Sequence, residues 1–151
     1  MRKPRLATVA AIVLGAAVGW ASPVGADEPR FAYHDIPRAP TIAHGIMCAG
    51  DVVAQFATTE KTPGRIWASM AGQFVGISAQ PGEHCFVTST LSWRNHTTGA
   101  SGTWSAVVSG SLPPFIGTGA GSYLNTGSGQ VEFWLGTDLP HLPGTATFTV
   151  Y

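Results

Sequence analysis

His84-Cys-Phe-Val-Thr-Ser-Thr-Leu-Ser-Trp93 is the stretch whose reading decides the fold. Cys85, Val87, Ser89, Leu91 and Trp93 fall on one side of it, and Phe86, Thr88, Thr90 and Ser92 fall on the other. A period of two is the alternation of a β-strand lying between a core and a more polar surface, and we read this strand as a central one. The polar run from Arg94 to Gly102 ends it. Thr103 to Ser109 then resumes the pattern with Trp104, Ala106 and Val108 on one side, which predicts a hairpin.

Toward the N-terminus, Gln80-Pro81-Gly82-Glu83 places Pro and Gly at the middle of a type II turn leading into that strand. Thr41 to Cys48 and Val52 to Thr59 read as two strands joined by Ala49-Gly50-Asp51. Arg65 to Ala79 reads as one bent strand or two short ones, with Gly72 and Gly76 favouring a break or bulge. Residues 27–40 carry Pro29, Pro37 and Pro40, which block a helix and predict an extended arm with an exposed His34-Asp35 pair. Toward the C-terminus, Gly110 to Gly129 is Gly/Ser-rich and holds Pro113-Pro114, consistent with an irregular edge strand or a binding loop. Gln130 to Leu139 and Thr145 to Tyr151 are the last strands, the latter with Ala146, Phe148 and Val150 inward and three threonines outward.

Seven or eight short strands with frequent turn signals point to an all-β fold, an antiparallel immunoglobulin-like β-sandwich over residues 41–151. A small β-barrel is the alternative. The antibody-type hallmark is not matched, because only 37 positions separate Cys48 from Cys85 and Trp67 lies between them.

Residues 1–26 read as a signal peptide: Arg2, Lys3 and Arg5 begin it, Leu6 to Trp20 is uncharged and mostly apolar, and Val24-Gly25-Ala26 offers a cleavage site. Pro23 and the nearby glycines cut the apolar run short of a membrane span. Cleavage after Ala26 leaves five basic residues, Arg30, Arg38, Lys61, Arg65 and Arg94, against eight acidic ones, a net charge of −3. Scattered cations on a weakly acidic domain make no footprint for a phosphate backbone, so nucleic acid is not an expected partner. In an oxidising compartment the two cysteines, Cys48 and Cys85, are expected to pair as one structural disulfide.

Motifs that carry catalysis are absent in specific ways. The chain has no Gly-x-Ser-x-Gly elbow, no His-Glu-x-x-His helix and no phosphate loop, and Gly117-Thr-Gly119-Ala-Gly121 lacks the third dinucleotide glycine. His34, His44, His84, His96 and His141 are spread without metal-ligand spacing, so no catalytic residue, metal or cofactor is assigned. Glu83 and His84 point to opposite faces of an extended segment. Asn95-His96-Thr97 matches a glycosylation acceptor, a short pattern common by chance. Aromatics are the better lead. Trp134 lies opposite Val131, Phe133 and Leu135, and with Tyr123 and Phe115 it forms the candidate binding surface, for a protein or a cell-wall glycan.

The run Leu91-Ser-Trp-Arg-Asn-His-Thr-Thr-Gly99 and the ending Pro143-Gly-Thr-Ala-Thr-Phe-Thr-Val150 resemble small exported actinobacterial proteins, mycobacterial ones especially, that have no assigned activity. The Ala-rich leader with its basic start is similar too. The resemblance covers the leader and, loosely, the C-terminal half. It implies export and brings no site residue with it. The expected function is that of a non-enzymatic binding module outside the cell or at its envelope, with a hydrolase assembled from separate strands as the remoter alternative.

Overall fold

The computed structural model describes residues 28–76, 85–110 and 119–151. The leader, the Gln80–Glu83 turn, His84 and Phe115 therefore lie outside the described residues. In chain order the strands are β1 (Phe31–Ile42), β2 (Ala49–Thr59), β3 (Arg65–Val75), β4 (Cys85–Asn95), β5 (Ser101–Gly110), β6 (Ala120–Asn125), β7 (Gly129–Thr137) and β8 (Gly144–Val150). They form two antiparallel sheets, β1-β2-β3-β6 (sheet A) and β5-β4-β7-β8 (sheet B), which face each other without closing into a barrel. The architecture is an antiparallel β-sandwich. It is immunoglobulin-like in its layering, and its strand order differs from the ABED/CFG order of antibody domains.

Strand β4 is central, paired with β5 on one side and β7 on the other. Cys85, Val87, Ser89 and Leu91 are buried, as the alternation requires. Their counterparts on sheet A are Val52, Ala54 and Phe56 from β2 and Ile66, Ala68, Met70 and Phe74 from β3. The Val, Leu, Ile, Met and Phe side chains among them each contribute about 1.5–3 kcal/mol relative to exposure. Where the sheets close together at one corner they do so on glycine: a Cβ on Gly110 would collide with the carbonyl oxygen of Gly72.

Three boundaries differ from the sequence reading. The stretch read as an arm, residues 27–40, is extended from Phe31 onward, as its prolines demand, yet there it forms an edge strand in register with β2 and not a separate arm. Pro37 is tolerated because the register shifts between Ile36 and Ala39, a bulge that leaves its missing N–H outside the ladder. His34 consequently turns inward: its ring stacks on Phe148 at 4.0 Å and 8°, and Phe148 stacks in turn on Phe133. The first hairpin also turns earlier than expected, over residues 43–48, where Gly45 (φ 119°) and Met47 (φ 51°) supply the left-handed conformations, while Ala49-Gly50-Asp51 belongs to β2. Finally, β3 is a single strand whose register continues through Gly72 without a break. Within Gly110–Gly129 the described part contains β6, a short edge strand.

The Cys48–Cys85 disulfide forms, with a Cα separation of 5.7 Å, and ties the β1–β2 turn to the start of β4. A second clasp sits at the other end. Asn95 is fully buried; its Nδ2 donates to the carbonyls of Thr126, Gly127 and Ser128, and its Oδ1 accepts from the amides of Thr97 and Thr98. One side chain thus closes both its own hairpin and the β6–β7 turn. The atom that would carry a glycan is consumed by the fold.

Candidate functional site

Trp134 and Tyr123 do not meet. Trp134 is half-buried on the outer face of sheet B, between Ser92 of β4 and Thr145 of β8, whereas Tyr123 stands on the outer face of sheet A. The surface expected from their combination is not assembled, and Phe115 lies outside the described residues. Tyr123 has other aromatic company. The pairings Tyr33↔Ala57, Ala57↔Trp67 and Trp67↔Tyr123 set one row of side chains across all four strands of sheet A. Tyr33, Trp67 and Tyr123 are 78 %, 39 % and 56 % exposed.

The row follows from the alternation of β3. Ile66, Ala68 and Met70 go to the core, so Arg65, Trp67, Ser69 and Ala71 must face solvent. Trp67 meets Tyr123 edge to face, with ring centroids 4.9 Å apart, and the Arg65 guanidinium lies over the Tyr123 ring at 4.1 Å. Such aromatic and cation–π contacts fix the rings in place at a cost to few degrees of freedom. The Trp67 indole leans over Gly121 on β6. Next to it the small residues Ala71, Gly119 and Gly121 leave an open trough of about 300 Å³, bordered by Val53, Gln55 and Ser69. Ala57 is the only residue of the row between Tyr33 and Trp67. Two strand spacings put those side chains about 10 Å apart, enough for a flat ligand to bridge them.

Trp67 and Tyr33 were missed as candidates because neither face of β3 is strongly polar in sequence and Tyr33 fell in the supposed arm. The usable signal was the opposition of Trp67 to Ile66, Ala68 and Met70.

The histidines distribute between structural tasks. His44 Nε2 lies 3.0 Å from Asp138 Oδ2, and the Thr88 amide donates to Asp138 Oδ1 at 3.0 Å. Burial works to raise the Asp138 pKa, but the hydrogen bonds from His44 and Thr88 outweigh it and hold the carboxyl below its ordinary value. This pair joins the β1–β2 turn of sheet A to the end of β7 in sheet B. His96 pairs with Glu132 at 2.8 Å on the outer face of sheet B. His141 contacts the Leu139 carbonyl through Nδ1 at 2.8 Å. His34 Nε2 is buried without a partner, and burial lowers its pKa against the opposing pull of Asp35. Among the described residues no group of three His, Cys, Asp or Glu side chains is placed to hold a metal ion. No described helix is long and apolar enough to cross a membrane.

The site is therefore a fixed aromatic row beside a small-residue trough, with amide, hydroxyl and guanidinium groups at its border. Comparison with protein-family models, curated proteins and solved structures returns no match.

Proposed function

We propose that the protein is an exported, non-enzymatic binding module that recognises glycan chains on the outer face of sheet A. The observation that carries this reading is the exposed Trp67–Tyr123 pair, clamped by Arg65 and bordered by Gln55 and Ser69. Sugar rings present C–H groups on one face and hydroxyls at their rim. A rigid aromatic plane with amide and hydroxyl groups beside it complements both. The row from Tyr33 to Tyr123 favours an extended saccharide over a single ring. Export is supported by the basic start, apolar run and small residues of positions 1–26 and by the pairing of both cysteines.

Titration with soluble oligosaccharides and co-sedimentation with insoluble cell-wall polysaccharide test the reading. Trp67→Ala is expected to abolish retention and Trp134→Phe to leave it unchanged. Equal retention of both variants would defeat the proposal. A protein partner is the second reading, favoured by Phe31 and Ile42, which extend the exposed apolar surface along β1. Competition by free oligosaccharide separates the two.

A further inference from the structure

Among the described residues sheet B ends at β5, and the strand itself lacks the features by which edge strands ordinarily avoid pairing. Natural edges are short, charged, bulged or interrupted by proline. β1 has Pro37, Pro40, Arg38 and a bulge; β6 spans six residues and β8 seven. β5 spans ten residues, Ser-Gly-Thr-Trp-Ser-Ala-Val-Val-Ser-Gly, with no charge, no proline and an unbroken register to β4.

The direction of its backbone groups follows from the hairpin. The Asn95 amide donates to the Ala100 carbonyl at 2.7 Å, so Asn95 and Ala100 form a hydrogen-bonded pair. Such pairs alternate along an antiparallel ladder. Gly102, Trp104, Ala106 and Val108 therefore bond to β4, while Thr103, Ser105 and Val107 turn their N–H and C=O groups to the edge that no described strand pairs with. The other side of β4 agrees: Asp138 donates to Thr88, and His96 donates to Gln130, so the even-numbered residues of β4 serve β7.

We infer that β5 pairs antiparallel with β5 of a second copy of this chain about a twofold axis at Ser105, joining two copies of sheet B into one continuous sheet. In that register Ser105 faces Ser105 of the partner subunit, and Thr103 faces Val107 of the partner subunit. A charge-free strand meets its own twofold image without like-charge repulsion, which makes a second copy the fitting occupant. Two side chains gain from it. Val107, 60 % exposed, comes against a threonine methyl, and the half-buried Trp104 comes beside Ala106 of the partner subunit. The pairing leaves the Tyr33–Tyr123 row on sheet A free, so it is independent of the glycan reading.

Sedimentation equilibrium of the purified protein, from low micromolar to near-millimolar concentration, is expected to show mass rising from one chain to two. Ser105→Lys sets two ammonium groups against each other at the axis, and Ser105→Pro removes the outward N–H without touching the β4 ladder. Both are expected to remain monomeric with unchanged far-ultraviolet circular dichroism, while Thr147→Lys on β8 still dimerises. Hydrogen exchange gives a reading without substitution: the amides of Thr103, Ser105 and Val107 are expected to slow as concentration rises. A wild-type protein that stays monomeric, a dimer that survives both Ser105 variants, or exchange at these amides independent of concentration would each overturn the inference.

Discussion

Trp67 lies over Gly121, its diagonal neighbour across the β3–β6 ladder, so closely that a Cβ at position 121 would occupy the space of the indole ring. The empty side of Gly121 is what lets the indole lie down against the sheet. Gly121→Val is expected to push Trp67 off β6, weakening oligosaccharide binding at least tenfold and altering the near-ultraviolet circular dichroism of the Trp67–Tyr123 pair. Residue 121 sits on the solvent side of an edge strand, so the thermal midpoint should fall little. A variant that binds normally with an altered aromatic signal would separate ring position from recognition.

The disulfide closes a loop of 37 positions between the two sheets. By loop-closure entropy, opening it costs about 4 kcal/mol of stability. Cys48→Ala/Cys85→Ala is expected to show that loss as a lower urea midpoint with a steeper slope, because the unfolded chain without the crosslink exposes more surface. The flanking backbone bonds between His44 and Phe86 should then exchange faster than those of central β4.

His34 gives stability a definite dependence on pH. Burial lowers its folded-state pKa from the ordinary 6.5, so the unfolded chain takes up a proton more readily than the folded one. Its favourable contribution is complete above that value and is lost as pH falls from 6.5 through the lowered folded value. His34→Phe preserves the stack on Phe148 and removes the titration. Urea midpoints measured from pH 8 to pH 5 should fall more steeply for the wild type than for the variant. Parallel curves would contradict the assignment.

Asn95 satisfies three carbonyls and two amides from a fully buried position. Asn95→Ala removes all five bonds and leaves the Gly127 carbonyl only the Thr126 hydroxyl, at a cost of about 3 kcal/mol or more. Asn95→Asp is expected to be at least as harmful, because a carboxylate there has no N–H to offer and faces three carbonyl oxygens. Chemical denaturation of both variants measures the loss.

The strand content and the two-layer arrangement were legible because period-two alternation reports directly which side chains are buried. Cys85, Val87 and Leu91 on β4, and Ala146, Phe148 and Val150 on β8, face the core as their spacing requires. What alternation cannot report is which sheet a strand joins. Trp134 and Tyr123 both face outward in their strands, yet one belongs to sheet B and the other to sheet A. Proline misled in the same way: it fixed the extended conformation of residues 31–42 correctly and hid their pairing, since an edge strand needs only half its backbone groups. The row through Tyr33, Trp67 and Tyr123 depends on three separate registers, and none of these is written in any single segment.

The clasp formed by Asn95 has a practical consequence for making the protein. Asn95-His96-Thr97 is an acceptor sequence, and in a eukaryotic secretory pathway an oligosaccharide is attached to such a sequence while the chain is still unfolded, before the β6–β7 turn has docked. Once attached, the sugar would stand where Thr126, Gly127 and Ser128 must arrive, and the two hairpins could not lock. Production in yeast or mammalian cells is therefore expected to divide the chain into a native unglycosylated fraction and a glycosylated fraction retained by quality control, while a host without this modification yields a single species.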